Sequence, residues 1–196
     1  RILGTNGHVL ILPAAVSLDD YEALTDQAAA VDGVIRAAPI IEGRVLASTR
    51  GANSGVLVRG IRPEDAKTLD ALANPEDFNG SLDDFGDGGI AIGAGIADEL
   101  NLRVGDSIKL ISPKGIRTVL GAAPATIKSF RIAYIFRIGM SEYDKLLIYM
   151  PLADAQKFFL KQGRIDMIEV MTDRPDRIEE IVPALRDALG VPVRLW

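Results

Sequence analysis

Two β-α-β patterns bracket this chain, one at each end, and they constrain its fold more than anything between them. At the start, Asn6-Gly7 gives a turn signal, His8 to Leu12 reads as a strand and Pro13 ends it. Ser17-Leu18-Asp19-Asp20 offers N-cap residues, and Tyr21, Leu24, Ala28 and Val31 follow at helical spacing until Gly33. At the end, Met167–Met171 reads as a strand. Ile178, Ile181, Val182, Leu185, Ala188 and Leu189 then form one apolar helical stripe, Gly190 suits the position after the helix, and Val191–Leu195 is a last strand. Pro183 inside that stripe predicts a kink or a late helix start. Helices at both ends packed on one sheet face give an α+β layer built from the two termini, with the strand-rich middle inserted.

The middle carries its own signals. Val34–Ile41, Gly43–Ala47 and Val56–Ile61 form a long hairpin or meander around the Gly51–Gly55 turn. Pro63–Ala73 suits a short helix, and Asn74–Gly89, rich in Asp, Gly and Asn, suits a surface loop. Ile90–Ile92, Ile108–Ile111, Phe130–Phe136 and Leu146–Met150 are strands, with short helices at Gly95–Leu100 and after Pro151. Ser112–Ser129 has Pro113, Pro124, Gly115 and Gly121, no helical period, and only Lys114, Arg117 and Lys128 as charges. It interrupts two strands and predicts a protruding hairpin. The expected division is therefore residues 1–61 with 140–196 as one subdomain and residues 62–139 as an insert.

Composition narrows the function classes. The 196 residues are 48% hydrophobic and 25% charged, ordinary for a globular chain. A net charge of −5 argues against general nucleic-acid binding, which rests on Lys and Arg neutralising phosphates. With no Cys, disulfides, thiolate chemistry and Cys-ligated metals are excluded. No run approaches the roughly 20 apolar residues of a membrane span. The chain opens without a basic and apolar leader and closes on Trp196 straight after a strand, so it reads as a piece of a longer protein.

Catalytic constellations are missing. The single histidine, His8, leaves zinc sites and Ser-His-Asp arrangements without parts. Gly93-Ala94-Gly95 lacks the third glycine of a dinucleotide fingerprint, with Asp98 in its place, and reads as a tight strand-to-helix turn. Asp83, Asp84 and Asp87 lack the spacing of a calcium loop. Asn79-Gly80-Ser81 matches a glycosylation sequon. No cofactor and no metal is expected, and a binding or mechanical role fits better than enzymatic turnover.

Several segments resemble one family. Ile2–Val9 looks like the segment leaving the first transmembrane helix of lipoprotein-releasing (LolC/LolE-type) ABC transporter permeases, whose periplasmic domain is similar to that of MacB-type transporters. Ala91-Ile92-Gly93 through Leu100, Gly105–Pro113, Ile135–Asp144, Leu152–Gln156 and Ile168–Val170 continue the resemblance in order over nearly the whole chain. It implies a porter-like subdomain from both chain ends, an inserted mostly-β subdomain called Sabre, and a place on the periplasmic face of the bacterial inner membrane. It also implies partners: a cytoplasmic ATPase subunit, a paralogous permease subunit, the lipoprotein substrate and a periplasmic carrier chaperone of the LolA type. In one of the two paralogues a hook hairpin docks that chaperone. Residues 112–129 match it in position and length, which assigns the contacts to Pro113, Gly121, Ala122, Ala123, Pro124, Ala125 and Lys128, with Arg117 and Lys128 as rim charges. The alternatives are the second paralogue, a MacB-like efflux domain that docks a membrane-fusion partner, and an enzyme built on carboxylates, Lys and Tyr.

Overall fold

The computed structural model describes residues 9–11, 20–112, 117–118, 121–122, 125–174, 176, 178–190 and 193–195. Along the chain run β1 (Val9–Ile11), α1 (Tyr21–Ala29), β2 (Val34–Ser48), β3 (Asn53–Ile61), the short helices α2 (Pro63–Ala66) and α3 (Asp70–Ala73), and β4 (Asp77–Gly80). A 3-10 turn at Leu82–Asp84 precedes β5 (Gly89–Gly93), α4 (Ala94–Leu100), β6 (Ser107–Ser112), β7 (Arg117–Thr118) and β8 (Gly121–Ala122). Then come β9 (Thr126–Arg137), α5 (Ser141–Asp144), β10 (Leu147–Pro151), α6 (Leu152–Phe158), β11 (Met167–Thr172), α7 (Ile178–Leu189) and β12 (Val193–Leu195). The chain divides into two compact units, residues 1–41 with 163–196 and residues 42–162.

In the terminal unit both β-α-β patterns are present, and they share one sheet. Its strand order is β12-β1-β11-β2, antiparallel throughout. Leu24 and Ala28 of α1 and Ile181, Val182, Leu185 and Leu189 of α7 are buried, so the helical spacing marks the packed faces. Ala188, counted in that stripe from sequence, is exposed. Pro183 lies inside α7 on its solvent side. Gly190 takes φ +61 and its N–H closes the helix on the Arg186 carbonyl at 2.9 Å. Arg36 of β2 and Glu169 of β11 form a buried ion pair at 2.9 Å.

The second unit is a sheet that closes on itself. β2 pairs with β3, β3 with β10, β10 with β5, β5 with β9, β9 with β6, and β6 returns to β2. β4 hangs on the outer side of β9. Strands buried on both faces read as near-continuous apolar runs. Ile90-Ala91-Ile92 and Ile148-Tyr149-Met150 are such runs, all fully buried. Phe130 and Phe158 meet edge to face at 5.6 Å, tying α6 to the sheet. The class is α+β, as expected.

The boundaries fall elsewhere than the sequence order suggested. Residues 42–61 and 140–162 belong to the second unit. The reason is the parallel pairing of β3 with β10, running from Leu57↔Leu147 to Ile61↔Pro151. Parallel pairing between distant segments leaves no local mark. The expected meander is also simpler: β2 is one strand of 15 residues that passes from the first unit into the second. Within the expected surface loop at 74–89 lie β4 and the 3-10 turn.

Candidate docking site

The candidate site grows from the β6–β9 ladder. These strands pair antiparallel from Ser107↔Arg131 to Ser112↔Thr126. Ile108, Leu110 and Phe130 face the core with at most 2% exposure, which anchors the ladder's base. Beyond Ser112 the chain forms a second, smaller ribbon, with Arg117↔Ala122 and Thr118↔Gly121 paired antiparallel. Of the residues assigned to docking, Arg117, Gly121 and Ala122 therefore sit on that ribbon. Ala125 is exposed. Lys128 lies beside the core, its ammonium 5.0 Å from the Phe130 ring centroid, so its stem shields an aromatic while its charge reaches water. Pro113, Ala123 and Pro124 lie outside the described residues, as does His8.

Register reveals a feature that the linear sequence hides. Leu46 of β2 stands opposite Ile111 of β6, and Ile111 stands opposite Ile127 of β9. Directly opposed residues share a face. The three therefore make an apolar row across three strands at the foot of the hairpin, with Leu46 39% and Ile127 61% exposed. Two residues along, on that same face, Ser48, Lys109 and Ser129 open into a polar cleft of about 730 Å³ with the β2–β3 turn and the end of α4. Sequence reasoning placed Leu46 and Ile111 in strands and Ile127 in the hairpin. Only the three-strand register brings them together.

The other sequence candidates become structural features. Gly93 and Gly95 press against the Asp144 backbone; a Cβ on Gly93 would stand 2.3 Å from the Asp144 carbonyl oxygen. The Gly-Ala-Gly turn thus serves close packing. Asp144 also accepts the Ile138 N–H at 2.7 Å, which organises the 135–144 segment. In the acidic loop, Asp83 pairs with Lys67 at 2.9 Å. The hydrogen bond and charge of Lys67 hold the Asp83 carboxyl below the ordinary carboxylate range. Among the described residues no group of three or more His, Cys, Asp or Glu is placed to hold a metal ion. Nor is any helix among them long and apolar enough to cross a membrane.

With this geometry in view, the sequence matches the profile of the MacB-like periplasmic core domain over residues 4–188. The chain belongs to that family. It is 28% identical over 166 residues to the lipoprotein-releasing system transmembrane protein LolC of Neisseria meningitidis serogroup B, covering 81% of this chain and 40% of that protein. It is 27% identical over 184 residues to the lipoprotein-releasing system transmembrane protein LolE of Haemophilus influenzae, covering 89% of this chain and 43% of that one. The chain thus spans about two fifths of the curated relatives it matches. Among solved structures, the extracellular domain of the noncanonic ABC-type transporter YknZ from Gram-positive bacteria superposes with a TM-score of 0.60 at 16% identity, covering 97% of this chain and all of that one. The periplasmic region of MacB from Actinobacillus actinomycetemcomitans gives 0.57 at 12% identity, covering 100% and 92%. The fold is shared with both. The resemblance to LolC/LolE-type periplasmic domains, read first from motifs, holds.

Proposed function

We propose that this MacB-like domain is the periplasmic part of an ABC transporter permease that releases lipoproteins from the bacterial inner membrane, and that residues 112–129 dock the carrier chaperone that receives them. The relatives' names and coverage support the transporter and its cargo. The observation that carries the docking role is the ladder-and-ribbon geometry: β6 and β9 pair to Ser112↔Thr126, and a second ribbon lies beyond them. A strand pair rooted in the core by Ile108, Leu110 and Phe130 fixes the two points, Ser112 and Thr126, between which the docking segment runs. Pre-organisation of this kind lowers the ordering cost of binding.

On this reading the domain performs no covalent chemistry. A cytoplasmic ATPase subunit supplies the energy, a paralogous permease completes the transporter, and the exposed Ala125 and the Leu46–Ile111–Ile127 row offer apolar area to the chaperone. Arg117 and Lys128 act as rim charges, which affect encounter rate more than residence.

The test is calorimetric binding of the purified lipoprotein-carrier chaperone to this chain and to a variant with residues 114–127 replaced by a short Gly-Ser turn. The parent is expected to bind, and the folded variant to lose binding. No binding by the parent would remove the docking role and favour a MacB-like efflux domain or the non-docking paralogue.

A further inference from the structure

Asn79-Gly80-Ser81, the glycosylation triplet of the sequence, falls on β4 and the turn that follows it. Among the described residues β4 pairs with β9 alone, and Asp77, Phe78, Asn79 and Gly80 are all exposed. The fold accounts for part of this segment. Gly80 has φ +87, and an added Cβ would run into the Ala133 carbonyl oxygen, so packing requires glycine there. Ser81 Oγ accepts the Asp83 N–H at 3.1 Å and starts the 3-10 turn. Asp77 and Asn79 have no comparable reason. Among the described residues the Asp77 carboxylate accepts only the N–H of its neighbour Phe78, at 2.9 Å, and makes no ion pair, while the Asn79 carboxamide makes no hydrogen bond. Both residue types are depleted in strands.

These two residues have the spacing that a glycosyl-transfer enzyme reads. N-linked transfer takes an accessible asparagine carboxamide, a hydroxyl two residues later and no proline between them. Bacterial oligosaccharyltransferases, which act on exported proteins, also read a carboxylate two residues before the asparagine. Asp77-Phe78-Asn79-Gly80-Ser81 holds all of these in order. Each group is available in the folded chain. Asn79 and Asp77 face solvent, and Ser81 Oγ, an acceptor towards Asp83, keeps its own O–H to donate. Because β4 hangs on the outer side of β9, the segment can leave its neighbour without opening the closed sheet, and an enzyme can take it in extended form.

We infer that Asn79 is an N-glycosylation acceptor for a bacterial oligosaccharyltransferase, with a polyprenyl diphosphate-linked oligosaccharide as donor. The Asn79 carboxamide nitrogen attacks the anomeric carbon of the donor. A C–N bond forms, the C–O bond to phosphate breaks, the polyprenyl diphosphate leaves and the nitrogen gives up one proton. A glycan there would also blunt β4, whose edge carries no Lys, no Pro and no bulge and leaves Phe78 58% exposed. The compartment is that of the proposed function, but the acceptor chemistry needs neither transporter nor carrier chaperone.

The test incubates the purified, folded chain with a purified bacterial oligosaccharyltransferase and a lipid-linked oligosaccharide. Intact-mass and peptide mass spectrometry follow transfer, and a synthetic peptide of residues 76–82 is the positive control in the same tube. The parent is expected to gain one glycan, on the peptide containing Asn79. Asn79→Gln and Ser81→Ala should abolish transfer with unchanged thermal unfolding, and Ser81→Thr should retain it. Asp77→Ala should slow it about 10-fold or more, the loss of one hydrogen-bonded charge. An unmodified parent beside a modified peptide, or a glycan that persists in Asn79→Gln, overturns the inference. An Asp77→Ala variant modified as fast as the parent overturns the role of the acid.

Discussion

Replacing Gly93 by Ala isolates one packing constraint, because the backbone there is ordinary. Gly93 has φ −63 and ψ 143, which any residue adopts. What excludes a side chain is the neighbour: an added Cβ would lie 2.3 Å from the Asp144 carbonyl oxygen and 2.9 Å from its carbonyl carbon. Neither partner can easily withdraw. Asp144 is buried, its N–H donates to the Met140 carbonyl at 2.9 Å, and its carboxylate accepts the Ile138 N–H at 2.7 Å. Gly93 is held on its other side by register with Phe136 of β9. The clash therefore falls at the upper end of overpacking costs, about 3 kcal/mol, of which a reduced unfolded-state entropy returns up to about 1.

A net loss of about 2 kcal/mol in a chain of this size lowers Tm by roughly 4–8 °C. The control is Gly55→Ala in β3, where nothing lies within 4 Å of the added Cβ; it should leave Tm unchanged or raise it slightly. Gly95→Ala should fall between them. Its Cβ meets the movable Lys145 side chain at 2.5 Å but also the Asp144 carbonyl at 2.9 Å, and helix propensity offsets part of the cost. Thermal unfolding followed by circular dichroism reads all three. A Gly93→Ala variant as stable as Gly55→Ala would refute the idea that this turn is glycine for close approach.

Other outcomes follow from single contacts. Glu169→Leu strands the Arg36 charge, 8% exposed, and should cost about 3–5 kcal/mol, while the double variant Arg36→Met, Glu169→Leu should recover most of it; denaturant midpoints of the three chains check this. Tyr134 donates to the Leu72 carbonyl at 3.0 Å, and burial raises its pKa above the ordinary 10.0. A raised folded pKa means that its stabilising contribution is complete below pH 10 and is lost as pH rises through the folded value. Tyr134→Phe should therefore cost about 0.5–1.5 kcal/mol at neutral pH and flatten the alkaline fall in denaturant midpoint. Ile127→Asp, at a half-open position, should leave Tm nearly unchanged yet weaken carrier-chaperone binding about 5- to 30-fold by calorimetry, the equivalent of about 1–2 kcal/mol; equal binding would remove the apolar row from the docking surface.

What the sequence disclosed and what it hid divide along one physical line, between local and non-local information. α7 was legible because Ile181, Val182, Leu185 and Leu189 recur at the helical period and Gly190 needs a positive φ. β5 and β10 were legible as short apolar runs. β4 was not, because an edge strand exposed at every position has no buried face to impose alternation, and Asp77, Asn79 and Gly80 are turn-forming residues by composition. The unit boundary was missed for a related reason: β3 and β10 pair in parallel across more than 80 residues of chain, and nothing in either segment announces the other. The same reasoning applies to the proposed docking site. The hairpin was legible from its prolines, glycines and interrupted strands, all local signals. The row Leu46–Ile111–Ile127 was not, since Leu46 and Ile111 alone look like ordinary strand hydrophobes and Ile127 like part of the hairpin, and their shared face follows only when two registers across three strands align. Surfaces assembled across strands are thus the part of such a domain's function least visible from sequence, which is why the Ile127 variant tests the docking assignment more sharply than deletion of the hairpin does.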